Sequence, residues 1–182
     1  MQLGYYDKQM FLEKQRLLIV QILTKRCILT LLSESDFEEL TPLITNETVR
    51  RYLGGVRPLE SSLNGWLLSI QSLDEYIFAV RLQISSVAVG LVTLAQHHNQ
   101  EDMEISFMFL PEYWGNGYAR EAVGALLKFS ECELQLSRVV SETQAANIRS
   151  RSMLEKLGYT LESEVERFGE KQYIYVFKNK LL

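Results

Sequence analysis

The stretch EYWGNGYAREA, residues 112–122, places two glycines between aromatic residues and directly before an amphipathic segment. The preceding residues 103–110, MEISFMFL, are rich in apolar and aromatic side chains, which predicts a β-strand. After the glycines, small and apolar residues recur at spacings of three and four, which predicts a helix. These residues are Ala119, Val123, Leu126, Leu127 and Ser130. The quoted stretch is therefore the loop of a strand–loop–helix unit.

Gly115 and Gly117 lie where the strand's end meets the helix N-terminus, and such a loop carries several unpaired backbone N–H groups. The helix dipole adds positive potential there, and glycines lack the Cβ atoms that would keep a phosphate away. With the small Ala119 in the first turn, the loop suits a pyrophosphate bound by the N–H groups of residues 115–120. An ordinary turn is the alternative for the two glycines alone.

The spacing of these residues does not fit two common phosphate-binding motifs. A P-loop needs a Lys-Ser or Lys-Thr pair after its last glycine, and no such pair follows Gly117. A dinucleotide fingerprint needs a third glycine at the position that Arg120 occupies. A nucleotide-phosphate domain of either kind is therefore disfavoured.

The rest of the chain predicts an α+β domain with a mixed, mostly antiparallel sheet and helices on both faces. Strands are predicted at 26–32, 76–83, 87–96, 103–110 and 137–144, with a closing hairpin in 159–179. Helices are predicted from Ser33 or Ser35, over 46–55, from Ser61 or Ser62, after Gly117 and over 147–158. The strand–helix–strand crossover in the second half implies one parallel strand pair.

Composition limits the classes of function. The chain has 182 residues, of which 47% are hydrophobic, and its net charge is -4, which argues against a nucleic-acid module. No apolar run is long enough to span a membrane. Cys27 and Cys132 lie in apolar segments and are interpreted as reduced, buried thiols of a cytoplasmic protein. His97 and His98 are the only histidines, so no metal site is expected.

Residues 1–22 are predicted to be a helix or arm outside the main domain, which spans 23–182. Phe11, Gln15, Leu18 and Ile22 recur at helical spacing. Such an arm could cover apolar surface on the domain or on a second subunit, which makes a homodimer the suggested assembly. The apolar run LLIVQIL at 17–23 is not followed by the small-residue pattern of a signal-peptide cleavage site.

Four segments carry a resemblance to the GNAT superfamily of N-acetyltransferases. WGNGYAREA, after MEISFMFLPEY, resembles their acetyl-CoA-binding motif Q/R-x-x-G-x-G/A, which maps onto Trp114, Gly117 and Ala119. Tryptophan at the first position is typical of the branch similar to ribosomal-protein N-terminal acetyltransferases. LTKRCILTLLSESDFEEL (23–40), TVRRYLGG (48–55) with NGWL, and NIRSRSMLEKLGY (147–159) resemble other segments of that branch.

The resemblance covers residues 23–179 and implies a sheet that is splayed in the middle, with a β-bulge in the MEISFMF strand. It implies acetyl-CoA as co-substrate, with pantetheine paired to the main chain of Phe107, Met108 and Phe109. An N–H near Phe107 or Met108 would polarise the thioester carbonyl. The other implied coenzyme-binding residues are Trp114, Gly115, Asn116, Gly117, Tyr118, Ala119, Arg120 and Asn147. Arg149 is a further candidate for a phosphate contact.

The implied reaction is direct attack of a primary amine, either a protein N-terminal α-amine or a small-molecule amine. Glu104 is the implied general base, with Glu142 in reserve. Leu154 occupies the position at which many family members have a tyrosine that protonates the leaving thiolate, so Ser150 is the implied proton donor. The absent tyrosine leaves a second reading open, a non-catalytic acyl-CoA-binding or sensor module. Acceptor contacts are expected from Tyr52, Trp66 and residues 168–173.

Overall fold

The computed structural model describes residues 21–72 and 74–179, which form one eight-stranded sheet with helices on both faces. The spatial order of the strands is β1-β2-β3-β4-β5-β6-β8-β7. In chain order the strands are β1 Gln21–Leu23, β2 Cys27–Leu31, β3 Tyr76–Leu82, β4 Ala88–Gln96, β5 Met103–Phe109, β6 Arg138–Gln144, β7 Thr160–Arg167 and β8 Glu170–Lys178. All neighbouring pairs are antiparallel except β5 and β6, which are parallel as predicted.

Two groups of helices cover the two faces of the sheet. Within the described residues, four helices precede β3: α1 Asp36–Leu40, α2 Pro42–Thr45, α3 Glu47–Arg50 and α4 Leu59–Gln71. Their apolar residues pack on one face, against Ala79, Ala88 and Leu91. The other face carries α5 Tyr118–Cys132 and α6 Ile148–Leu157, whose buried residues join the larger core. The predicted α+β class with helices on both faces is confirmed.

The sheet opens between β5 and β6, in the middle of the molecule. Their register contains the single pair Glu104 and Val140, although each strand has seven residues. By contrast, β4 and β5 pair without interruption from Gly90–Phe109 to Gln96–Met103. The bulge predicted in β5 is therefore wrong, because that strand keeps a regular register, and the splay arises from divergence of β6. Register shifts occur instead at Val80/Arg81 and at Leu161/Ser163.

Three local expectations are corrected. Gln21–Leu23 forms a strand paired with β2, so Ile22 does not continue a helix. The rest of the predicted arm lies outside the described residues. Ser61 and Ser62 do not cap α4, which begins after Pro58; both hydroxyls donate to the Pro58 carbonyl from within the first turn. Cys27 is buried as expected, whereas Cys132, at the end of α5, is exposed.

Within residues 21–72 and 74–179, no helix has the length and apolarity needed to cross a membrane.

Candidate active site

Strand β5 presents its side chains and its main chain in alternation. Glu104, Ser106 and Met108 share one face of the strand, and Met108 packs with the α1–α4 side. Ile105, Phe107 and Phe109 point to the opposite face and join the core beneath α5 and α6. The strand therefore connects two chemically different surfaces through one short segment of chain.

The main-chain groups of β5 also alternate, between β4 and the open side toward β6. Leu110 N–H donates to Val89 O of β4, and a Cβ on Gly90 would lie 2.5 Å from the Met108 carbonyl oxygen. Residues of even number therefore direct their main chain to β4. Of the three residues predicted to pair with pantetheine, only Phe107 and Phe109 direct their main chain to the slot.

Side chains already occupy two carbonyls on the slot side of β5. The Ser141 hydroxyl of β6 donates to Ile105 O at 2.6 Å, and Trp114 Nε1 donates to Phe109 O at 2.7 Å. Phe107 lies between these two carbonyls, so its N–H and C=O are the main-chain pair at the centre of the slot. Trp114 thus contributes to the slot through its indole and borders the loop through its backbone.

The glycine loop connects β5 to α5 through a short 3₁₀ turn, Pro111–Tyr113. Gly115 and Gly117 have φ angles of +78° and +81°, in the left-handed region that favours glycine. Gly117 is the residue before α5, and the first intrahelical bond runs from Glu121 N to its carbonyl at 3.0 Å. The N–H groups of Tyr118, Ala119 and Arg120 therefore have no acceptor within the helix.

Arg26, which follows β1, holds this loop from outside. Its Nε donates to Glu121 Oε2 at 2.7 Å and its Nη1 to Asn116 O at 2.9 Å. The guanidinium also stacks 4.5 Å from the centre of the Tyr118 ring. Glu121 Oε1 accepts from the Arg26 N–H and the Thr24 hydroxyl, both at 2.6 Å. No sequence pattern predicts this contact, because Arg26 and Glu121 lie 95 residues apart and neither has a local signal.

The N-terminus of α6 faces the loop across the open end of the slot. Asn147 Oδ1 accepts from Ser150 N at 3.2 Å, so Asn147 is the helix N-cap. Ser150 is half-buried in the first turn, and Leu154 is fully buried in the core. The exposed Arg149 guanidinium lies 5.3 Å from the centre of the Trp114 ring, so α6 and the loop touch. Arg120 is exposed.

Glu104 stands where β5 and β6 part. Its Oε1 accepts from Glu142 N–H at 3.1 Å and from the Ser106 hydroxyl at 3.2 Å. Burial raises the pKa of the Glu104 carboxyl above its ordinary value, although the hydrogen bond from Glu142 N–H and the nearby His97 oppose that shift. A carboxylate with a raised pKa is a stronger base, and this one lies beside the slot.

Glu142 lies two residues beyond Val140, the residue of β6 that pairs with β5, and its side chain is 7% exposed. Its Oε2 bonds His97 Nε2 at 2.9 Å and Arg167 Nη1 at 2.5 Å. Its Oε1 is buried and has no hydrogen-bond partner in the part of the chain that the structure describes. His97 and Arg167 were not singled out as site residues, and only the folded sheet brings them to Glu142.

The expected acceptor residues differ in exposure and in the groups they contact. Trp66 is buried, and its Nε1 donates to Ser33 O at 3.1 Å, so it is a core residue of α4. Phe168, in the β7–β8 turn, is 73% exposed and its ring lies 5.5 Å from that of His98. Tyr173 stacks against Arg151. Tyr52 stacks against Arg51. The contacts of Phe168 with His98 and of Arg167 with Glu142 place the β7–β8 turn beside the end of the slot that carries Glu142.

Comparison with known proteins identifies the fold family. The family model for the acetyltransferase (GNAT) domain matches residues 26–160. The chain belongs to the GNAT acetyltransferase family. A relative in Bacillus subtilis, the uncharacterized N-acetyltransferase YnaD, is 24% identical over 143 residues, which are 79% of this chain and 84% of that protein.

Two solved structures show how widely this acetyltransferase fold is shared. Spermidine N-acetyltransferase from Vibrio cholerae, in complex with CoA and spermine, is similar with a TM-score of 0.74 and 20% identity, over 84% of this chain and 95% of that one. RimL, a ribosomal L7/L12 α-N-protein acetyltransferase in complex with coenzyme A, has a TM-score of 0.76 and 16% identity, over 87% and 98%. At these identities the likeness concerns the fold.

The residues present in this acetyltransferase fit a coenzyme A molecule. The loop combines two positive-φ glycines with unpaired N–H groups at the start of α5, which are suitable donors to a pyrophosphate. A Cβ on Gly115 would meet no described atom within 4 Å, so that side of the loop is open. The slot beside Phe107 offers main-chain groups to an extended amide chain.

Proposed function

We propose that this acetyltransferase transfers the acetyl group of acetyl-CoA to a primary amine by direct attack. The observation that carries the proposal is the layout of β5, which bears Glu104 at one end, the open main chain of Phe107 in the middle and the glycine loop after its last residue. The candidate base, the candidate carbonyl-polarising N–H and the candidate phosphate-binding loop therefore follow one another along one segment, which supports the proposal.

Acetyl-CoA, when bound, supplies an activated acetyl thioester. The loop N–H groups of residues 115–120 and the Phe107 main chain would hold and orient it. Glu104 would accept the proton that the amine loses, because amines are protonated at neutral pH. Ser150, in the first turn of α6, would donate a proton to the departing thiolate, with Asn147 contacting the pantetheine. Arg120 and Arg149 are solvent-exposed candidates for the coenzyme phosphates.

Two kinds of acceptor remain candidates, a protein N-terminal α-amine and a small-molecule amine. RimL and the spermidine enzyme represent one kind each. The non-catalytic alternative rests on the buried Leu154, which offers no proton donor. A cytoplasmic location is proposed because Cys27 and Cys132 are free cysteines. A homodimer is likewise a prediction from the sequence of residues 1–22.

A thiol-release screen tests the proposal. The protein is incubated with acetyl-CoA and a panel of amines that includes spermidine and peptides with free N-termini, and free coenzyme A is measured. We expect release with at least one amine and loss of that release in Glu104→Gln. If acetyl-CoA raises the melting temperature but no amine causes release, the protein is a binding module and the proposed activity is wrong.

A further inference from the structure

Arg50, the last residue of α3, is a buried arginine without a carboxylate partner in the described chain. The residue is 6% exposed. No Asp or Glu oxygen in residues 21–72 and 74–179 lies within 4 Å of its guanidinium. The partly buried Arg81 and Arg138, by contrast, each pair with two carboxylates. Buried arginines are normally paired, because an isolated buried charge is costly.

The hydrogen bonds of Arg50 leave part of its guanidinium without a strong acceptor. Its Nε donates to Gly55 O at 2.9 Å, and its Nη2 donates to Leu53 O. Its Nη1 lies 3.8 Å from Met108 Sδ, which is a weak acceptor. A guanidinium has five N–H groups, so one on each terminal nitrogen remains beyond these contacts. Charged N–H groups of this kind form strong hydrogen bonds with a carboxylate.

The surroundings of Arg50 favour an anion. Burial lowers the pKa of the Arg50 guanidinium, and the like charge of Arg57 adds to that effect. The chain that covers the guanidinium, from Leu53 to Arg57, is an exposed turn with two positive-φ glycines. A negatively charged group entering beside this turn would neutralise a cation that the described residues leave unbalanced.

The position of Arg50 connects it to the active site. Its contact, Met108, lies on the same face of β5 as Glu104, the proposed base. The two residues are four steps apart in the strand, which separates them by about 13 Å along the chain. We propose that the acceptor amine also carries a carboxylate several bonds from its nitrogen, and that Arg50 binds this carboxylate.

This inference rests on the proposed acetyl transfer to an amine and narrows its substrate class. The acceptor side has the carboxyl group of Glu104 at one end and the guanidinium of Arg50 at the other, so it complements a molecule with an ammonium at one end and a carboxylate at the other. Amino acids whose amino and carboxylate groups are several bonds apart have this form, and so do peptides with an acidic side chain close to the N-terminus. A polyamine would place a second cation against Arg50 and is disfavoured.

The first test compares acceptors that differ only in the carboxylate. 6-Aminohexanoate is measured against its amide, and a peptide with Glu at position 2 against the same peptide with Gln, by coenzyme A release. We expect kcat/KM to be about tenfold to a hundredfold higher for the carboxylate in at least one pair, because the free energy of a hydrogen bond between charged groups corresponds to a factor of that size. Acetylation with equal kcat/KM within both pairs would overturn the inference and leave the proposed function standing.

Variants of Arg50 distinguish binding of the substrate carboxylate from structural support of the Leu53–Gly55 turn. Arg50→Gln should remove the preference within a pair, and Arg50→Lys, which keeps a cation, should retain part of it. The control is Arg51→Gln, an exposed neighbour stacked on Tyr52, which should keep the full preference. If Arg50→Gln slows both members of a pair equally, Arg50 only supports the Leu53–Gly55 turn and the inference is wrong.

A binding measurement covers the case in which no amine is acetylated. The products 6-acetamidohexanoate and its amide are each added to the protein with coenzyme A, and the melting temperature is recorded. The carboxylate should raise it further in the wild-type protein and not in Arg50→Gln. If turnover is absent but this difference is present, the proposed function fails while the carboxylate site stands. If the acid and its amide raise the melting temperature of the wild-type protein equally, the proposed carboxylate site is wrong.

Discussion

The coenzyme side and the acceptor side of the slot are built in opposite ways. On the coenzyme side, most of the proposed contacts are main-chain groups of one continuous segment, from Phe107 to Arg120, and the first turn of α6 adds side chains. On the acceptor side they are side chains from separate elements: Arg50 of α3, Glu104 of β5 and Glu142 of β6, with His97 and Arg167 holding Glu142.

The difference shows what each kind of site requires of the chain. A main-chain site needs glycines at defined φ angles and a helix start, which are local properties. A side-chain site needs several strands and helices to be in register, because its members are far apart in sequence. The acceptor side can therefore change by substitution at few positions while the coenzyme side stays the same.

The largest effect is expected on the acceptor side, at Glu104. Glu104→Gln should lower kcat/KM at neutral pH by about 10²- to 10⁴-fold, and the remaining activity should move to higher pH, where the amine loses its own proton. In the wild-type protein, activity should fall as the pH drops through the raised pKa of Glu104. The measurement is a pH profile of kcat/KM, with Glu166→Gln, an exposed carboxyl of β7, as the control.

The melting temperature of Glu104→Gln should distinguish a catalytic role of Glu104 from a structural one. Because burial raises the folded-state pKa of Glu104, ionisation of this carboxyl reduces stability as the pH rises through that pKa. Gln does not ionise, so Glu104→Gln should melt no lower than the wild-type protein at neutral pH. A pH profile that Glu104→Gln leaves unchanged would remove this residue as the base.

A smaller effect is expected on the coenzyme side, at Gly117. With φ at +81°, Gly117→Ala should distort the loop or strain it by about 1–2 kcal/mol, and acetyl-CoA should bind about ten times more weakly. The control is Gly169→Ala, which has φ at +75° and open space around a new Cβ but lies in the β7–β8 turn. Calorimetric titration of both variants checks the prediction. Equal coenzyme affinity in the two variants would show that the loop does not bind the phosphates.

The smallest effect is expected where the coenzyme side depends on tertiary structure, at the contact between Arg26 and Glu121. Glu121→Gln should weaken acetyl-CoA binding severalfold by loosening the loop, without changing kcat at saturation. Arg26→Gln should do the same, and the double variant should add little, because both remove one interaction. Additive losses in this double-mutant cycle would mean that the two residues act independently.

The elements were predictable from sequence because each has a local pattern. The strands from β2 onward and α5 and α6 lie where periodicity places them, within a few residues. The failures share a cause. A bulge in β5, capping by Ser61 or Ser62 and burial of Cys132 all depend on neighbours that periodicity does not show. The direction of the Met108 main chain likewise depends on which partner strand it faces.

What the sequence determined by itself is the strand–loop–helix unit of β5 and α5, the family, and the identity of Glu104 as the carboxylate within the strand that precedes the glycine loop. These follow from period, glycine position and a short motif, all of which are local. Only the tertiary structure decided that the sheet opens just past Glu104, that the main chain of Phe107 faces the opening, that Arg26 holds the loop, and that Arg50 contacts Met108 with no carboxylate partner among the described residues. Such facts depend on strand register and on contacts between distant residues, which a linear pattern does not contain.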